Sequence, residues 1–244
     1  MDHIYLKSPV KLKGSLIPAT LIERTNRFLN IVNIEGVKHK SHLPDPGRLN
    51  ELLIVGCKLL VRPEPKTSKR KTRYTTIFVD LHGQLISLVS TLPNAFVKEA
   101  LIAKTLPMYK SFNLIRPEIV IGNHRLDFLL ESDRGVPFYL EIKSVTFVEN
   151  GVAKFPDSIT KRGASHLDLL KKLSSKGYGA GVLFVCQRQD AYSFQPMWER
   201  DPYFSSILLD AFYSGVKVNC ITLKTSQTEI KFNTEISVNL ENPS

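Results

Sequence analysis

The first third of the chain consists of short runs of alternating apolar and polar residues, many of them β-branched. This alternation predicts strands, which turn-forming pairs such as Glu35-Gly36 separate. The predicted strands span residues 17–23, 27–34, 37–42, 57–62 and 74–81. Residues 47–53 have the apolar spacing of a short helix, and Gly56 would end it. Three strands, a short helix and two further strands are the element order of an OB-like β-barrel.

After Gly83 longer apolar spacings of helical period alternate with strand-like runs. They predict helices from Pro93 to about Leu106, from near Ser158 to just before Gly177, and over 204–214. The predicted strands span residues 85–90, 114–121, 125–131, 138–146, 181–187 and 216–223, with a loop at 149–156. We therefore predict two domains, an OB-like barrel in residues 1–83 and an α/β sandwich with a mixed sheet in residues 84–244. The fold class is α/β, or α+β for the chain as a whole.

Positive charge is concentrated in the predicted barrel. Residues 1–83 hold 15 Lys and Arg against 7 Asp and Glu, a net charge of +8, whereas residues 84–244 hold 18 against 16, a net charge of +2. A uniformly solvated basic surface would not be segregated in this way. The charge predicts a polyanionic partner, and nucleic acid is favoured over an anionic membrane because no basic amphipathic helix accompanies it.

The chain contains no apolar run long enough to span a bilayer and no stretch with the character of a signal peptide. Its three cysteines are odd in number, far apart in sequence and in no metal-binding motif. We therefore expect a cytoplasmic protein with no membrane association and with reduced thiols. The oligomeric state is not readable from the sequence.

A strongly basic segment connects the last two strands of the predicted barrel. Five of the nine residues at 66–74 are Lys or Arg. In an OB barrel this connection is one of the ligand-facing loops. A solvated loop without a partner has the same composition, but its place in the basic domain favours contact with nucleic acid through Lys69, Arg70, Lys71 and Arg73.

Two predicted strands carry the residues with the clearest chemistry. Asp127 lies on the first, and Glu141 and Lys143 lie on the second, where strand alternation points both side chains to the same face. An antiparallel pairing would bring the carboxylates of Asp127 and Glu141 together, and a hard divalent cation would relieve their repulsion. Lys143 would then orient an attacking water or neutralise charge that develops on phosphorus. This is the PD-(D/E)xK nuclease pattern, and a buried ion-pair network is its structural alternative.

Two further acids are candidates for completing a Mg²⁺ or Mn²⁺ site. Glu99 lies on the first predicted helix of this domain, and Glu118 lies one strand before Asp127. A surface Glu at either position is more often only solvated, so the sequence leaves the choice between them open.

The segment at 155–167 combines a helix start with basic residues. Asp157 or Ser158 would cap the helix, and its amide groups would attract a phosphate. Lys161, Arg162 and His166 lie in the first turns, where positive charge opposes the helix dipole. A phosphate bound at the helix start would offset this unfavourable electrostatic interaction, whereas an ordinary capped helix would not.

Together these motifs resemble the sugar fermentation stimulation protein family over nearly the whole chain. The resemblance rests on His42-Leu43-Pro44-Asp45-Pro46-Gly47-Arg48, Asn94 to Leu101, Glu118, Arg125-Leu126-Asp127-Phe128, Glu141 to Thr146, Phe155-Pro156-Asp157 and Thr160-x-Arg162-Gly163-x-x-His166-Leu167. It implies an N-terminal OB-like domain, a PD-(D/E)xK nuclease-like C-terminal domain and DNA binding. Family members are described as DNA-binding regulators of sugar metabolism in prokaryotes.

The leading hypothesis is a DNA-binding protein with a Mg²⁺-dependent nuclease centre formed by Asp127, Glu141 and Lys143. The residues expected to contact nucleic acid are Arg48, Lys69, Arg70, Lys71, Arg73, Arg125, Lys161, Arg162 and His166. The alternative is a non-catalytic DNA-binding regulator of sugar metabolism genes that retains the nuclease fold, although no helix-turn-helix is evident. A third hypothesis is an RNA-binding OB protein.

Overall fold

The computed structural model describes residues 10–11, 14–65 and 67–242, and its chain forms two compact units. Among the described residues, one unit contains those within 11–92 together with 225–230, and the other contains residue 10 together with 93–224 and 231–242. The elements before residue 88 are the strands β1 (Val10–Lys11), β2 (Ile17–Asn26), β3 (Leu29–Ile34), β4 (Val37–His42), β5 (Lys58–Pro63), β6 (Tyr74–Leu81) and β7 (Gln84–Ser87).

Strands β2 to β6 close into a barrel. Antiparallel pairing joins β2 to β3, β3 to β4, β2 to β5 and β5 to β6. A parallel pairing of Ser41 with Tyr74 and of His42 with Thr75 links β4 to β6 and completes the circle. This connectivity is that of an OB barrel and confirms the predicted fold of the first domain. Alternating inward residues such as Leu21, Val32 and Leu59 fill its interior.

The predicted short helix at 47–53 is wrong. The segment forms a tight turn in which Leu52 and Leu53 donate their backbone N–H groups to the carbonyl of Leu49. Leu49 has a left-handed φ of 50°, which does not continue into an α-helix. Because Leu49, Leu52 and Leu53 are all buried, the apolar spacing correctly predicted burial without predicting a helix.

The remaining strands form the larger of the two sheets. They are β8 (Phe112–Ile121), β9 (His124–Ser132), β10 (Pro137–Val145), β11 (Val148–Glu149), β12 (Val152–Phe155), β13 (Gly179–Cys186), β14 (Ser193–Pro196), β15 (Lys217–Thr225) and β16 (Glu229–Val238). Within the described residues the sheet runs in the order β11-β12-β14-β16-β15-β13-β10-β9-β8, and β1 pairs with β16. Strands β10, β13 and β15 are parallel, whereas β8, β9 and β10 are antiparallel, so the predicted mixed sheet is confirmed.

Three helices accompany this sheet in the described part of the chain: α1 (Leu92–Ile102), α2 (Lys161–Ser175) and α3 (Pro202–Tyr213). Helix α1 ends at Ile102, before the predicted Leu106, because Lys104 has a left-handed φ of 56°, which does not continue an α-helix. A 3₁₀ turn follows at Pro107–Tyr109. The apolar face of α2 includes Leu167, Leu170 and Leu173 and packs in the same core as Phe184 of β13.

The N-terminus of α2 is built differently from the prediction. The helix begins at Lys161, and its cap is Thr160, whose Oγ1 accepts from the backbone N–H of Gly163 at 3.0 Å. The predicted caps Asp157 and Ser158 lie before it. A side chain on Gly163 would come within 2.9 Å of Thr160 Oγ1 and 3.2 Å of the Phe204 ring, so the close approach of α2 to its cap and to α3 requires glycine there.

Several other boundaries differ from the sequence predictions. The barrel sheet continues through β7, which pairs with β6, so the barrel unit extends beyond the predicted boundary at residue 83. The predicted loop at 149–156 contains the hairpin of β11 and β12. Strands β14 and β16 were not predicted. Strand β14 is only four residues long and ends in a proline, whereas β16 alternates apolar residues such as Ile230, Phe232 and Ile236 with polar ones, a strand pattern that the sequence analysis missed. In the described residues no helix is long and apolar enough to cross a membrane.

Candidate active site

Asp127 and Glu141 lie next to each other at the end of a shared antiparallel ladder. The last paired residues of β9 and β10 are Phe128 and Leu140, and the next residue along each strand is Asp127 and Glu141, respectively. The Oδ2 atom of Asp127 accepts a hydrogen bond from the backbone N–H of Ile142 at 2.7 Å, which fixes the carboxylate beside β10. The two acids predicted to converge therefore do so in the structure.

Glu141 is buried, and one of its two oxygens receives two side-chain contacts. Lys143 Nζ donates to Glu141 Oε1 at 2.7 Å, and His166 Nδ1 lies 2.5 Å from the same oxygen. Burial alone would raise the pKa of Glu141, but the hydrogen bond from His166 and the charge of Lys143 outweigh it, so its pKa lies below the ordinary value. Glu141 is therefore an anion at neutral pH.

The second oxygen of Glu141 differs from the first. Oε2 is buried, and no hydrogen-bond partner for it exists in the described part of the chain. A buried carboxylate oxygen without a partner costs free energy, and this cost is relieved when a cation or a donor occupies the space next to it.

The surroundings of Asp127 disfavour its ionised form, in contrast to those of Glu141. Burial raises its pKa to about 6, and the negative charge of Glu141 contributes to the same shift. The hydrogen bonds from Ile142 and from Asn94, whose Nδ2 lies 2.6 Å from Asp127 Oδ1, only partly offset the rise. Two adjacent carboxylates, one ionised and one with a raised pKa, form a site that favours an added positive charge.

His166 does not lie where the sequence analysis expected it. We predicted a phosphate contact, but the side chain is 4% exposed and its Nδ1 faces Glu141. Since a carboxylate oxygen can only accept, Nδ1 of His166 carries the hydrogen of this bond. Helical spacing places His166 next to the apolar residues Leu167 and Leu170, which turn it inward. The ring of His124 meets it edge-on, with 5.9 Å between the centroids.

Neither additional metal-ligand candidate joins the two carboxylates. Among the residues that the structure describes, no three His, Cys, Asp or Glu side chains form a group able to hold a metal ion. Glu99 is exposed on α1, and the side chain of Glu118 is 68% exposed and lies 3.8 Å from Arg125. Glu118 has a left-handed φ of 52° within β8, a conformation that interrupts the regular extended backbone of the strand.

The predicted phosphate contacts of the second unit are solvent-accessible, apart from His166. Lys161 and Arg162 are exposed in the first turn of α2, and Arg125 is exposed on β9 two residues before Asp127. Side chains on alternate strand residues share a face, so Arg125 lies on the same side of β9 as Asp127. These three cations can therefore meet a dissolved anion.

The predicted contacts of the barrel unit lie on its surface. Arg48 is exposed in the turn after β4, and the four basic residues Lys69, Arg70, Lys71 and Arg73 are exposed between β5 and β6. Arg70 lies 3.6 Å from Glu64, whose Oε1 also accepts from Thr75 at 2.5 Å. Arg70 and Arg73 line a polar depression of about 300 Å³ together with Ser68 and Thr72.

Asn94 is a site residue that the sequence analysis did not identify. It lies in the first turn of α1 and holds the Oδ1 atom of Asp127. A lone Asn next to a helix-opening proline is most simply a helix-start residue. The only indication of a site role for Asn94 in the sequence was its place in the stretch from Asn94 to Leu101, which carries part of the family resemblance.

Comparison with known proteins decides the family. A model of the sugar fermentation stimulation protein RE domain matches residues 91–229, and a model of the SfsA N-terminal OB domain matches residues 22–88. The chain belongs to the sugar fermentation stimulation protein family. A family member from Moorella thermoacetica is 43% identical over 209 residues, covering 86% of this chain and 90% of its own length.

Other members of the family match over a similar extent. The homologue from Clostridium tetani is 37% identical, covering 93% of this chain and 98% of its own length. The solved structure of Pyrococcus furiosus SfsA in complex with Ca²⁺ is 28% identical, with a TM-score of 0.84 over 94% of this chain and 99% of that one. The resemblance inferred from the sequence motifs is thereby confirmed.

Proposed function

We propose that this member of the family binds nucleic acid, with DNA as the favoured polymer, and hydrolyses its phosphodiester bonds with the help of a divalent cation. The observation that carries the proposal is the convergence of Asp127, Glu141 and Lys143 at one end of the β9–β10 ladder. An Asp on one strand and a Glu-x-Lys on the next is the arrangement of PD-(D/E)xK nucleases, which agrees with the nuclease-like domain implied by the resemblance. We place this activity in the cytoplasm, which suits the three free cysteines.

The residues present fit a hard divalent cation. Asp127 and Glu141 supply oxygen donors, the buried Oε2 of Glu141 has no hydrogen-bond partner in the described residues, and ionised Asp127 is disfavoured without a counter-charge. Oxygen-only donors favour Mg²⁺, Mn²⁺ or Ca²⁺ over softer metals. The presence of Ca²⁺ in the structure of the Pyrococcus furiosus relative supports the same choice. When bound, Mg²⁺ or Mn²⁺ would polarise a phosphodiester oxygen and lower the pKa of a coordinated water.

The side chains around the carboxylates would orient them and the substrate. Asn94 and the backbone of Ile142 fix Asp127, while His166 and Lys143 fix Oε1 of Glu141 and leave Oε2 for the cation. Such outer contacts orient the metal-binding groups and raise affinity.

Lys143 would also supply positive charge next to the scissile phosphate, where negative charge develops during hydrolysis. Outside this cluster, Arg125, Lys161 and Arg162 are exposed cations that would hold the phosphates on either side. The amide groups at the start of α2 add to their attraction for an anion.

A second candidate function is binding without cleavage. Its specific support is that neither Glu99 nor Glu118 forms a three-ligand group with Asp127 and Glu141 in the described residues, and that Lys143 is engaged with Glu141. A protein of this kind would retain nucleic acid in EDTA and leave it intact in Mg²⁺. The regulation of sugar metabolism genes would then depend on binding alone.

The two functions are separated by incubating the purified protein with single-stranded and duplex DNA and RNA in Mg²⁺, Mn²⁺ or EDTA, with retention and fragmentation measured in parallel. We expect fragments in Mg²⁺ or Mn²⁺ and none in EDTA. Lys143→Ala should abolish fragmentation and preserve retention, whereas the control Lys172→Ala, at an exposed position near the end of α2, should behave as the wild type. Unchanged fragmentation by Lys143→Ala would remove this residue from the mechanism, and intact substrate under every condition would leave the binding function.

A further inference from the structure

The outer face of β3 and β4 presents a row of basic side chains that lies outside the contacts described above. The inward residues of β3 are buried, namely Asn30, Val32 and Ile34. Their neighbours Leu29, Ile31 and Asn33 therefore face outward, since side chains alternate along a strand. Directly paired residues of antiparallel strands share a face, and the partners on β4 are His42, Lys40 and Lys38.

This face combines positive charge with apolar surface. Lys38 and Lys40 are exposed, and the half-buried side chains of Leu29 and Ile31 lie next to them on β3. Glu23 of β2 pairs with Ile31, so the acidic side chain marks the border of the basic row. A basic row beside apolar surface complements a ligand that has both phosphates and flat apolar rings.

An exposed aromatic ring stands at one end of this row. Phe28 occupies the turn between β2 and β3, and 53% of its side chain is exposed. Its backbone is held on both sides: the N–H of Phe28 donates to Asn26 Oδ1 at 2.9 Å, and its carbonyl accepts from the N–H of Leu43 at 2.9 Å. A ring presented on a fixed backbone loses little conformational freedom when a ligand stacks on it.

We propose that this face, consisting of Phe28, Lys38, Lys40 and His42, binds single-stranded nucleic acid. One base stacks on Phe28, and the phosphates of the neighbouring nucleotides meet the basic side chains of β4. The path from Phe28 along β3 to Asn33 is about 17 Å long, at roughly 3.3 Å per residue. This length suits about four nucleotides, the lower end of the range for one OB barrel.

Single strands are preferred over a duplex at this face. The bases of a duplex are already stacked on each other, and a base must leave that stack before it can meet Phe28. The charge of Lys38 and Lys40, by contrast, attracts either form. The ring therefore provides the discrimination between the two forms, and the lysines provide affinity that depends on salt.

The test measures binding of a fluorescein-labelled oligothymidylate of about 16 nucleotides, and of the matching duplex, by anisotropy in EDTA. Because no cleavage occurs in EDTA, the outcome does not depend on the nuclease proposal. Phe28→Ala should weaken single-strand binding about ten-fold and duplex binding much less. Phe28→Trp, which keeps a stacking surface, should retain the affinity. The matched control is Tyr213→Ala, at a ring that is 78% exposed at the end of α3 in the other unit.

The lysines are tested through the salt dependence of the same binding. The double change Lys38→Gln and Lys40→Gln should reduce the slope of log affinity against log salt by about 1.4, at roughly 0.7 per lost phosphate contact on a single strand. The double change Lys172→Gln and Lys176→Gln removes the same charge from the C-terminal end of α2 and should leave the slope unchanged.

Three results would overturn the proposal. The first is single-strand affinity of Phe28→Ala equal to that of Tyr213→Ala, and the second is an equal loss for single strand and duplex. The third is Phe28-dependent binding to anionic phospholipid vesicles without any effect on the oligonucleotide, which would assign the face to a membrane surface. Thermal melting of every variant checks that the barrel is folded, and Phe28→Trp separates loss of stacking from loss of structure.

Discussion

Replacing Asp127 by Asn should make the metal-free protein more stable above about pH 6. The pKa of Asp127 is raised from 3.8 to about 6 by burial and by the charge of Glu141. About two pKa units correspond to about 3 kcal/mol of differential interaction between the two protonation states. Asn is neutral at all pH values, and its Oδ1 can still accept from the N–H of Ile142. Its Nδ2 can donate to Asn94 once the Asn94 amide turns its oxygen toward it, so the variant avoids the cost of the buried charge.

The sign of the pH dependence follows from the direction of the pKa shift. An acid with a raised pKa binds its proton more tightly in the folded chain than in the unfolded chain. Its stabilising contribution is therefore complete below about pH 4 and is lost as the pH rises through about 6. The wild type should lose about 3 kcal/mol relative to Asp127→Asn across this window.

The assay is urea unfolding of both proteins in EDTA at about pH 4 and at about pH 8. The unfolding free energy of Asp127→Asn minus that of the wild type should be about 3 kcal/mol larger at about pH 8 than at about pH 4. Added Ca²⁺ should then stabilise the wild type at the higher pH and have little effect on the variant, because the variant lacks one of the carboxylates. A free-energy difference that stays constant with pH would refute the account of Asp127.

Three other predictions concern the site, the barrel loop and the core. His166→Ala should weaken Ca²⁺ binding about ten-fold or more in a calorimetric titration, because Glu141 loses the side chain that orients it. His166→Gln, which keeps a hydrogen-bond donor, should restore part of the affinity. Wild-type affinity in His166→Ala would show that His166 does not position Glu141 for the cation. Replacing Lys69, Arg70 and Lys71 together by Gln should lower the slope of log affinity for duplex DNA against log salt by about one unit per lost phosphate contact, and an unaltered slope would make the loop a bystander. Phe184→Ala should cost about 3–5 kcal/mol in urea unfolding, because Phe184 is fully buried and stacks on a neighbouring ring at 4.1 Å; a loss under about 1 kcal/mol would contradict the packing.

The part of the candidate site that depends on strands was predictable from sequence. Strand alternation placed Glu141 and Lys143 on one face, and an antiparallel turn placed Asp127 opposite them. These are local properties of a period-two pattern, and the structure has both features.

The contacts made by helices were not predictable in the same way. Asn94 and His166 reach the carboxylates from α1 and α2, and their roles depend on how those helices pack onto the sheet. The sequence placed His166 correctly in α2, but the basic residues before it suggested a solvent-facing role. Its position on the apolar face next to Leu167 was the signal for burial.

A turn in the barrel and two strands near the C-terminus are the parts of the fold that the sequence analysis missed. Leu49, Leu52 and Leu53 have helical spacing, but a left-handed residue at 49 confines them to a single turn. Strand β16 lies inside the sheet order, and apolar residues such as Ile230, Phe232 and Ile236 alternate with polar residues along it, so the period-two pattern of a strand was present in the sequence but was not recognised.

The bond between His166 and Glu141 also constrains how α2 can sit on the sheet. An apolar helix face alone tolerates small rotations and slides, because Leu side chains can repack with similar free energy. The short hydrogen bond from His166 Nδ1 to Glu141 Oε1 forms in only one position of the helix on the sheet. Substitutions among the leucines of α2 that leave the chain folded should therefore still disturb Glu141, so chemistry at this site would be lost at a milder level of core damage than folding itself.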